Sequence, residues 1–154
     1  MLLRCTINGE EKSLEVPPRK SLLRVLREDL GLKSVRGDCH SGVCGSCLVL
    51  LDGDPVHSCL VPAFRAEDTV VTTVEGLARS RVYGALRSFL SENRLPYCPY
   101  CTPGLLLVVT ALLQKNRNPN AADIREALSE ILCSCKGYST FQDAVLQTSR
   151  NRFR

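Results

Sequence analysis

Eight of the nine cysteines fall into two groups of four, and this pattern restricts the fold of the 154-residue chain more than any other feature. The first group is Cys39, Cys44, Cys47 and Cys59. A C-x4-C-x2-C loop with a distant fourth cysteine is the plant-type spacing for a [2Fe–2S] cluster. The second group is Cys98-x2-Cys101 followed, after a helical stretch, by Cys133-x-Cys135. Two such centres leave a small chain little room for other chemistry, and they point to the movement of single electrons. A C-x2-C pair alone also reads as zinc or as a redox pair, and two four-cysteine zinc sites would account for the same residues. Against zinc, the first group is a three-cysteine loop rather than two knuckles, and the second closes with C-x-C. A Rieske centre needs two histidine ligands. His40 and His57 are the two histidines of the chain, and they read as loop and strand-surface residues. Cys5, the ninth cysteine, reads as a small buried hydrophobe in a strand.

The bulk numbers exclude several classes. A composition of 44% hydrophobic and 23% charged residues is that of an ordinary globular protein, with length for one domain or two small ones. The net charge of +4 is mild, and the basic residues are scattered without interleaved aromatics, which argues against nucleic acid. Only the tail, 150–154, is locally basic, and it reads as a solvated end. No run approaches the ~18 apolar residues of a membrane helix. No charged stretch followed by an apolar one marks a signal peptide. The cysteines therefore read as metal ligands in a reducing compartment, the cytoplasm, rather than as disulfides.

Two halves follow from the pattern. Residues 3–7 form an apolar run of strand length, Asn8-Gly9 is a strong hairpin signal, and Leu14 and Val16 continue an alternating strand. Ser21 is an expected N-cap for a helix carrying Leu22, Leu23, Val25, Leu26 and Leu30, stopped by Gly31. After the cysteine loop, 48–51, the Asp52-Gly53 turn and 55–59 read as a second hairpin, and 69–74 as a β-branched strand. From Leu77 onward the character is helical. Helices are expected over 82–92, 104–114, 123–132 and 140–149, with Thr102 as N-cap and Pro103 at the first position of the second. Four helices of this length suggest a bundle. The expected fold is α+β, with domains 1–76 and 77–154.

The chemistry suits the loops. A [2Fe–2S] cluster is anionic and needs backbone N–H donors to its sulfurs. Gly37, Gly42, Gly45 and Ser46 are small enough to let the backbone wrap closely, and Gly42 and Gly45 are expected to line the cluster. Cys59 arrives on a strand, so the sheet fixes its place. In the second group, Cys98 and Cys101 precede a helix N-terminus whose positive end favours the more negative, reduced cluster.

Five ordered stretches carry a resemblance. They are Cys39-His-Ser-Gly-Val-Cys44-Gly-Ser-Cys47, then Asp52-Gly-Asp-Pro-Val-His-Ser-Cys59-Leu-Val-Pro62, then Thr73-Val-Glu-Gly76-Leu, then Cys98-Pro-Tyr-Cys101-Thr-Pro-Gly104, and Cys133-Ser-Cys135-Lys-Gly-Tyr138. Together they resemble the small iron–sulfur subunit of the molybdenum hydroxylases, the family of xanthine dehydrogenase, aldehyde oxidoreductases and carbon monoxide dehydrogenase. The resemblance implies a plant-ferredoxin-like β-grasp domain followed by a four-helix domain. It implies two [2Fe–2S] clusters here, a large partner subunit with a molybdopterin cofactor, and a medium subunit with FAD. Electrons would pass from molybdenum to the cluster on Cys98, Cys101, Cys133 and Cys135, then to the cluster on Cys39, Cys44, Cys47 and Cys59, then to FAD. The xanthine dehydrogenase type is the expected one, in a hetero-oligomer for which a dimer of heterotrimers is one arrangement.

The resemblance also has departures. Family members usually have Gln before the first cysteine of the second group, where it approaches the pterin; here it is Tyr97. Pro99 replaces a common glycine, and Ile131, Ser134 and Lys136 replace Asn, Arg and Thr. All eight ligands are intact, so the expected change is in the face toward the molybdenum cofactor. Two other readings of the residues stay open: a free-standing two-cluster electron carrier, and a zinc-stabilised binding module.

Overall fold

The computed structural model of the chain describes residues 1–94, 98–134 and 137–152. On β1 (Leu2–Ile7) Leu3, Cys5 and Ile7 are buried while Leu2 and Arg4 are exposed, so strict alternation sets one apolar face. Asn8 and Gly9, both at positive φ (53° and 86°), reverse the chain into β2 (Glu10–Glu15). Asp52 and Gly53 do the same between β3 (Leu48–Leu51) and β4 (Asp54–His57). Such turns match the twist of a hairpin. The last strand, β5 (Val70–Thr72), enters the middle, which gives the order β2-β1-β5-β3-β4. The β1–β5 pair is parallel and the other pairs are antiparallel.

One helical segment crosses this sheet, as the sequence predicts, but it is not a uniform α-helix. Ser21 Oγ accepts from the Arg24 N–H and caps α1 (Leu22–Arg24), which widens into a π-helical turn over Val25–Asp29. The wider turn is closed by the Leu30 N–H bonding to Val25 O at 3.2 Å, and it leaves Leu22, Leu23, Val25 and Leu26 all buried. They pack with Leu3, Ile7, Val49 and Val71 of the sheet. Cys5 joins the same cluster, which agrees with its reading as a buried hydrophobe.

The second half is a bundle of α2 (Arg81–Glu92), α3 (Thr102–Lys115), α4 (Ala121–Ser129) and α5 (Gly137–Arg152). The fold is thus α+β: among the described residues, a mixed sheet with one crossing helical segment is followed by four helices. Every residue of α3 from Thr102 to Ala111 is buried. A helix apolar on all sides belongs at the centre of a structure, and α3 occupies that place. Leu105, Leu106, Val108 and Val109 meet Leu86, Ile124, Leu128 and Val145 of the other helices. Leu107 and Ala111 meet Leu50 of the sheet and Leu77. Sheet and bundle therefore share one buried helix.

Helix ends differ from expectation in informative ways. Cys101, not Thr102, is the N-cap of α3; the Thr102 hydroxyl turns back and accepts from the Cys98 N–H at 3.0 Å. α4 begins two residues early because Asn120 and Asp123 form a reciprocal capping box. It also ends early: the Leu132 N–H, which a longer helix would use internally, bonds to Cys44 O at 3.1 Å. α5 starts three residues ahead of the expected position, at Gly137.

The junction between the halves is a 3-10 segment, Val74–Arg79, pinned from two sides. Asn8 of the hairpin turn accepts from the Thr73 N–H at 2.9 Å and donates to Thr73 Oγ1 at 3.0 Å. Ser34, at the entry to the cysteine loop, donates to Glu75 from its hydroxyl and from its N–H at 3.1 Å. Partial burial works against ionisation of Glu75, yet the hydrogen bonds from Ser34 and Thr73 outweigh it and hold the carboxyl below its ordinary value. A depressed folded value stabilises the fold at pH above the unfolded value, and the benefit is lost as pH falls through the folded one. Glu75→Gln should therefore unfold more easily than wild type in urea at neutral pH. The gap should close once the pH drops below about 4, the ordinary glutamate range.

Candidate metal centres

The first cysteine loop leaves the helical segment at Val35, which is buried. The Arg27 guanidinium donates to Val35 O at 2.5 Å and the Arg36 N–H to Ser46 O at 3.0 Å, which closes the loop at its base. Inside it, the N–H groups of Ser41 and Cys44 both point at Cys39 Sγ, each at 3.4 Å. Cys44 Sγ lies 3.2 Å from Ser46 Oγ. Cys47 is 1% exposed and directly precedes β3. Ser58 donates to Cys47 O from its N–H at 3.3 Å and from its hydroxyl at 2.6 Å. This clamp brings the end of β4 back beside Cys47, so the backbone N–H and thiol of Cys59 reach the Cys47 sulfur. The four cysteines that the sequence groups together are thus gathered on one loop and one hairpin.

Their acidities are pulled apart. The Ser41 hydroxyl and N–H, with the Cys44 N–H, lower the Cys39 thiol to about 5. Burial pushes the Cys47 thiol up to about 12, helped by the neighbouring Cys59 and Cys44 sulfurs. A thiol held that high ionises readily only beside a cation, and a bound metal supplies that charge. N–H donors already aimed at sulfur are the donor chemistry a [2Fe–2S] cluster uses. The residues present fit the group.

In the second group, Cys98 and Cys101 stand at the start of α3, and Cys133 follows α4. Cys101 Sγ lies 3.4 Å from Cys133 Sγ, and the Cys98 thiol also hydrogen-bonds Cys101. Burial raises the Cys101 thiol, and the two neighbouring thiols raise it further. A sulfur separation of 3.4 Å is far from the about 2.05 Å of a disulfide, so Cys101 and Cys133 are not bridged. Among the described residues, no three Cys, His, Asp or Glu side chains surround a point where one ion would sit. Cys135 and Tyr97 lie outside the described residues. Tyr138 orders this loop: its hydroxyl donates to Ile131 O and accepts from the Cys133 N–H at 3.0 Å.

The two loops touch. The Leu132 N–H bonds to Cys44 O, so a residue beside Cys133 is hydrogen-bonded directly to a residue of the first group. Gly45 makes the approach possible. Its φ is +74°, and a Cβ there would collide with Glu130 O and lie 2.8 Å from Ile131 Cα. Gly42, also at φ +74°, turns the loop beneath Leu60. Neither His40, exposed in the loop, nor His57 on β4 has a hydrogen-bond partner for its ring among the described residues. The sequence reading missed the Ser58 clamp, the Tyr138 hydroxyl and the Leu132–Cys44 bond. The first two carried a signal, a hydroxyl residue placed near a ligand; the third uses backbone atoms alone.

Known proteins match this arrangement. Residues 5–77 match the 2Fe-2S iron-sulfur cluster binding domain, and residues 73–146 the [2Fe-2S] binding domain. The nicotinate dehydrogenase small FeS subunit of Eubacterium barkeri is 41% identical over 143 residues, covering 93% of this chain and 91% of that protein. The xanthine dehydrogenase iron-sulfur-binding subunit of Escherichia coli O157:H7 is 36% identical, covering 97% of this chain and 95% of that one. The crystal structure of quinoline 2-oxidoreductase from Pseudomonas putida 86 superposes with a TM-score of 0.85 at 38% identity, over 97% of this chain and 96% of that chain. Fold and matched segments together define a protein with two [2Fe–2S]-binding domains. The chain belongs to the small iron–sulfur subunits of the molybdenum hydroxylase family.

The opposed acidities can be read in the metal-free chain. Cys39, exposed and ionised above about pH 5, should be alkylated by iodoacetamide at pH 7 well before Cys47, which is buried and held near 12. Peptide mapping of a time course checks the order, and equal labelling of the two would contradict the site geometry.

Proposed function

We propose that this chain is the electron-transfer subunit of a multi-subunit molybdenum hydroxylase of the xanthine dehydrogenase type. The observation that carries the reading is the contact of the two cysteine loops, Leu132 N–H to Cys44 O, inside a chain with two [2Fe–2S]-binding domains. In it, domain 1–76 holds one cluster through Cys39, Cys44, Cys47 and Cys59. Domain 77–154 holds the other through Cys98, Cys101, Cys133 and Cys135. Each cluster, when bound, takes up and gives up one electron. The Ser41 and Cys44 N–H groups stabilise charge on the Cys39 sulfur, and the burial of Cys47 and Cys101 keeps water from part of each site. Gly45 and Cys44, packed on Glu130, Ile131 and Leu132, hold the two loops at a fixed separation.

The chain receives electrons at its C-terminal half from a large molybdopterin-binding subunit, with Tyr97 near the pterin. It passes them from its N-terminal half to FAD on a medium subunit. The complex is a heterotrimer or its dimer in the cytoplasm. Relatives named for nicotinate, xanthine and quinoline support a nitrogen heterocycle as the substrate of the whole complex. Among the described residues, no helix is long and apolar enough to cross a membrane.

The test is anaerobic addition of such a heterocycle to the purified complex, followed by visible absorption and EPR. Both clusters of wild type should become reduced. Cys44→Ser should retain about two of about four irons per chain and only the second cluster's signal. Loss of both signals together would point to one shared centre and overturn the assignment.

A further inference from the structure

Arg36 lies between the two cysteine loops and touches both. Its backbone belongs to the first: the Arg36 N–H bonds to Ser46 O at 3.0 Å, and Ser46 Oγ reaches back to Arg36 O at 3.5 Å. The same hydroxyl lies 3.2 Å from Cys44 Sγ. Its side chain belongs to the second. The guanidinium carbon sits 4.2 Å from the centroid of the Tyr100 ring, and Nη1 donates to Pro99 O at 3.5 Å. Pro99 and Tyr100 are the two residues between Cys98 and Cys101. Tyr100 is 55% exposed, so core packing does not account for its position; its ring gives the guanidinium a face to lie on. Among the described residues, no carboxylate forms an ion pair with Arg36.

We propose that Arg36 is a positioning residue that clasps the two cysteine loops and whose charge raises the reduction potential of the cluster held by the second loop. The inference rests on the two-cluster reading above. A fixed cation favours whichever state of its neighbour is more negative, and for a cluster that is the reduced one. Stacking on Tyr100 keeps the charge over the Cys98–Cys101 turn, where a free arginine would extend into solvent. The first cluster is held by the loop that carries the Arg36 backbone, whereas the charged end is stacked on Tyr100 and bonded to Pro99 between two ligands of the second, so the second potential should move more.

The test is an EPR-monitored redox titration of the cluster-loaded full chain, with iron and sulfide counted on every sample. Wild type must hold two clusters; if it does not, the two-cluster reading fails, whatever the variants show. With both clusters present, Arg36→Gln should lower the reduced-to-oxidised ratio of the second cluster about threefold at fixed potential, about 30 mV for a one-electron couple. Arg36→Lys, which keeps the charge, should restore most of that shift. Unchanged midpoints in Arg36→Gln, or an equal shift in Arg36→Lys, would overturn the proposal. If Arg36→Gln fails to retain its clusters, Tyr100→Leu decides, since it removes the ring and keeps the charge. A smaller fall of the second midpoint would support the clasp, and no change would overturn it.

Discussion

The structure depends on the close approach of two backbones, Cys44-Gly45 of the first cysteine loop and Glu130 to Leu132 of the second. Glycine is required there because φ is +74° and a side chain would strike Glu130 and Ile131. Once the backbones meet, the Leu132 N–H is satisfied by Cys44 O, α4 ends at Ser129, and Cys133 is delivered beside Cys101. Gly104 shares the same crowded point, since a Cβ on it would lie 3.0 Å from Gly45 O. The start of α3, the end of α4 and the first loop therefore converge on one place. The buried α3, clamped between sheet and helices, keeps them there.

That arrangement also explains the electrostatics. Two anionic centres in one small chain repel one another, and burying thiols without a cation is unfavourable. The chain answers with local donors. N–H groups aim at Cys39, the Ser46 hydroxyl lies by Cys44, the N-terminus of α3 lies behind Cys101, and Arg36 reaches across from one loop to the other. Cys47 and Cys101, the two thiols pushed up by burial, are the ones most in need of a metal's charge.

Much of this was legible in the sequence, for identifiable reasons. Both hairpins followed from Asn8-Gly9 and Asp52-Gly53, where residue type dictates backbone geometry. Cysteine spacing placed Cys39, Cys44 and Cys47 on one loop, because residues so near in sequence are held together by chain reach. The π-helical turn after Arg24 was not legible, since no residue type within Val25–Asp29 marks a widened turn. The early start of α4 could have been read from Asn120 and Asp123, three apart, as a capping box. The Leu132–Cys44 bond and the Arg36–Tyr100 stack join residues far apart in sequence, and only the packing of sheet against bundle reveals them.

The central claim is that two [2Fe–2S] clusters sit close together on adjoining loops of one chain. Low-temperature EPR of the dithionite-reduced full chain, with iron and sulfide counted on the same sample, tests it most directly. The account predicts about four irons per chain and two distinct S = 1/2 signals that broaden or split each other when both clusters are reduced. A colourless, EPR-silent sample containing zinc, or a single signal with about two irons, would contradict it.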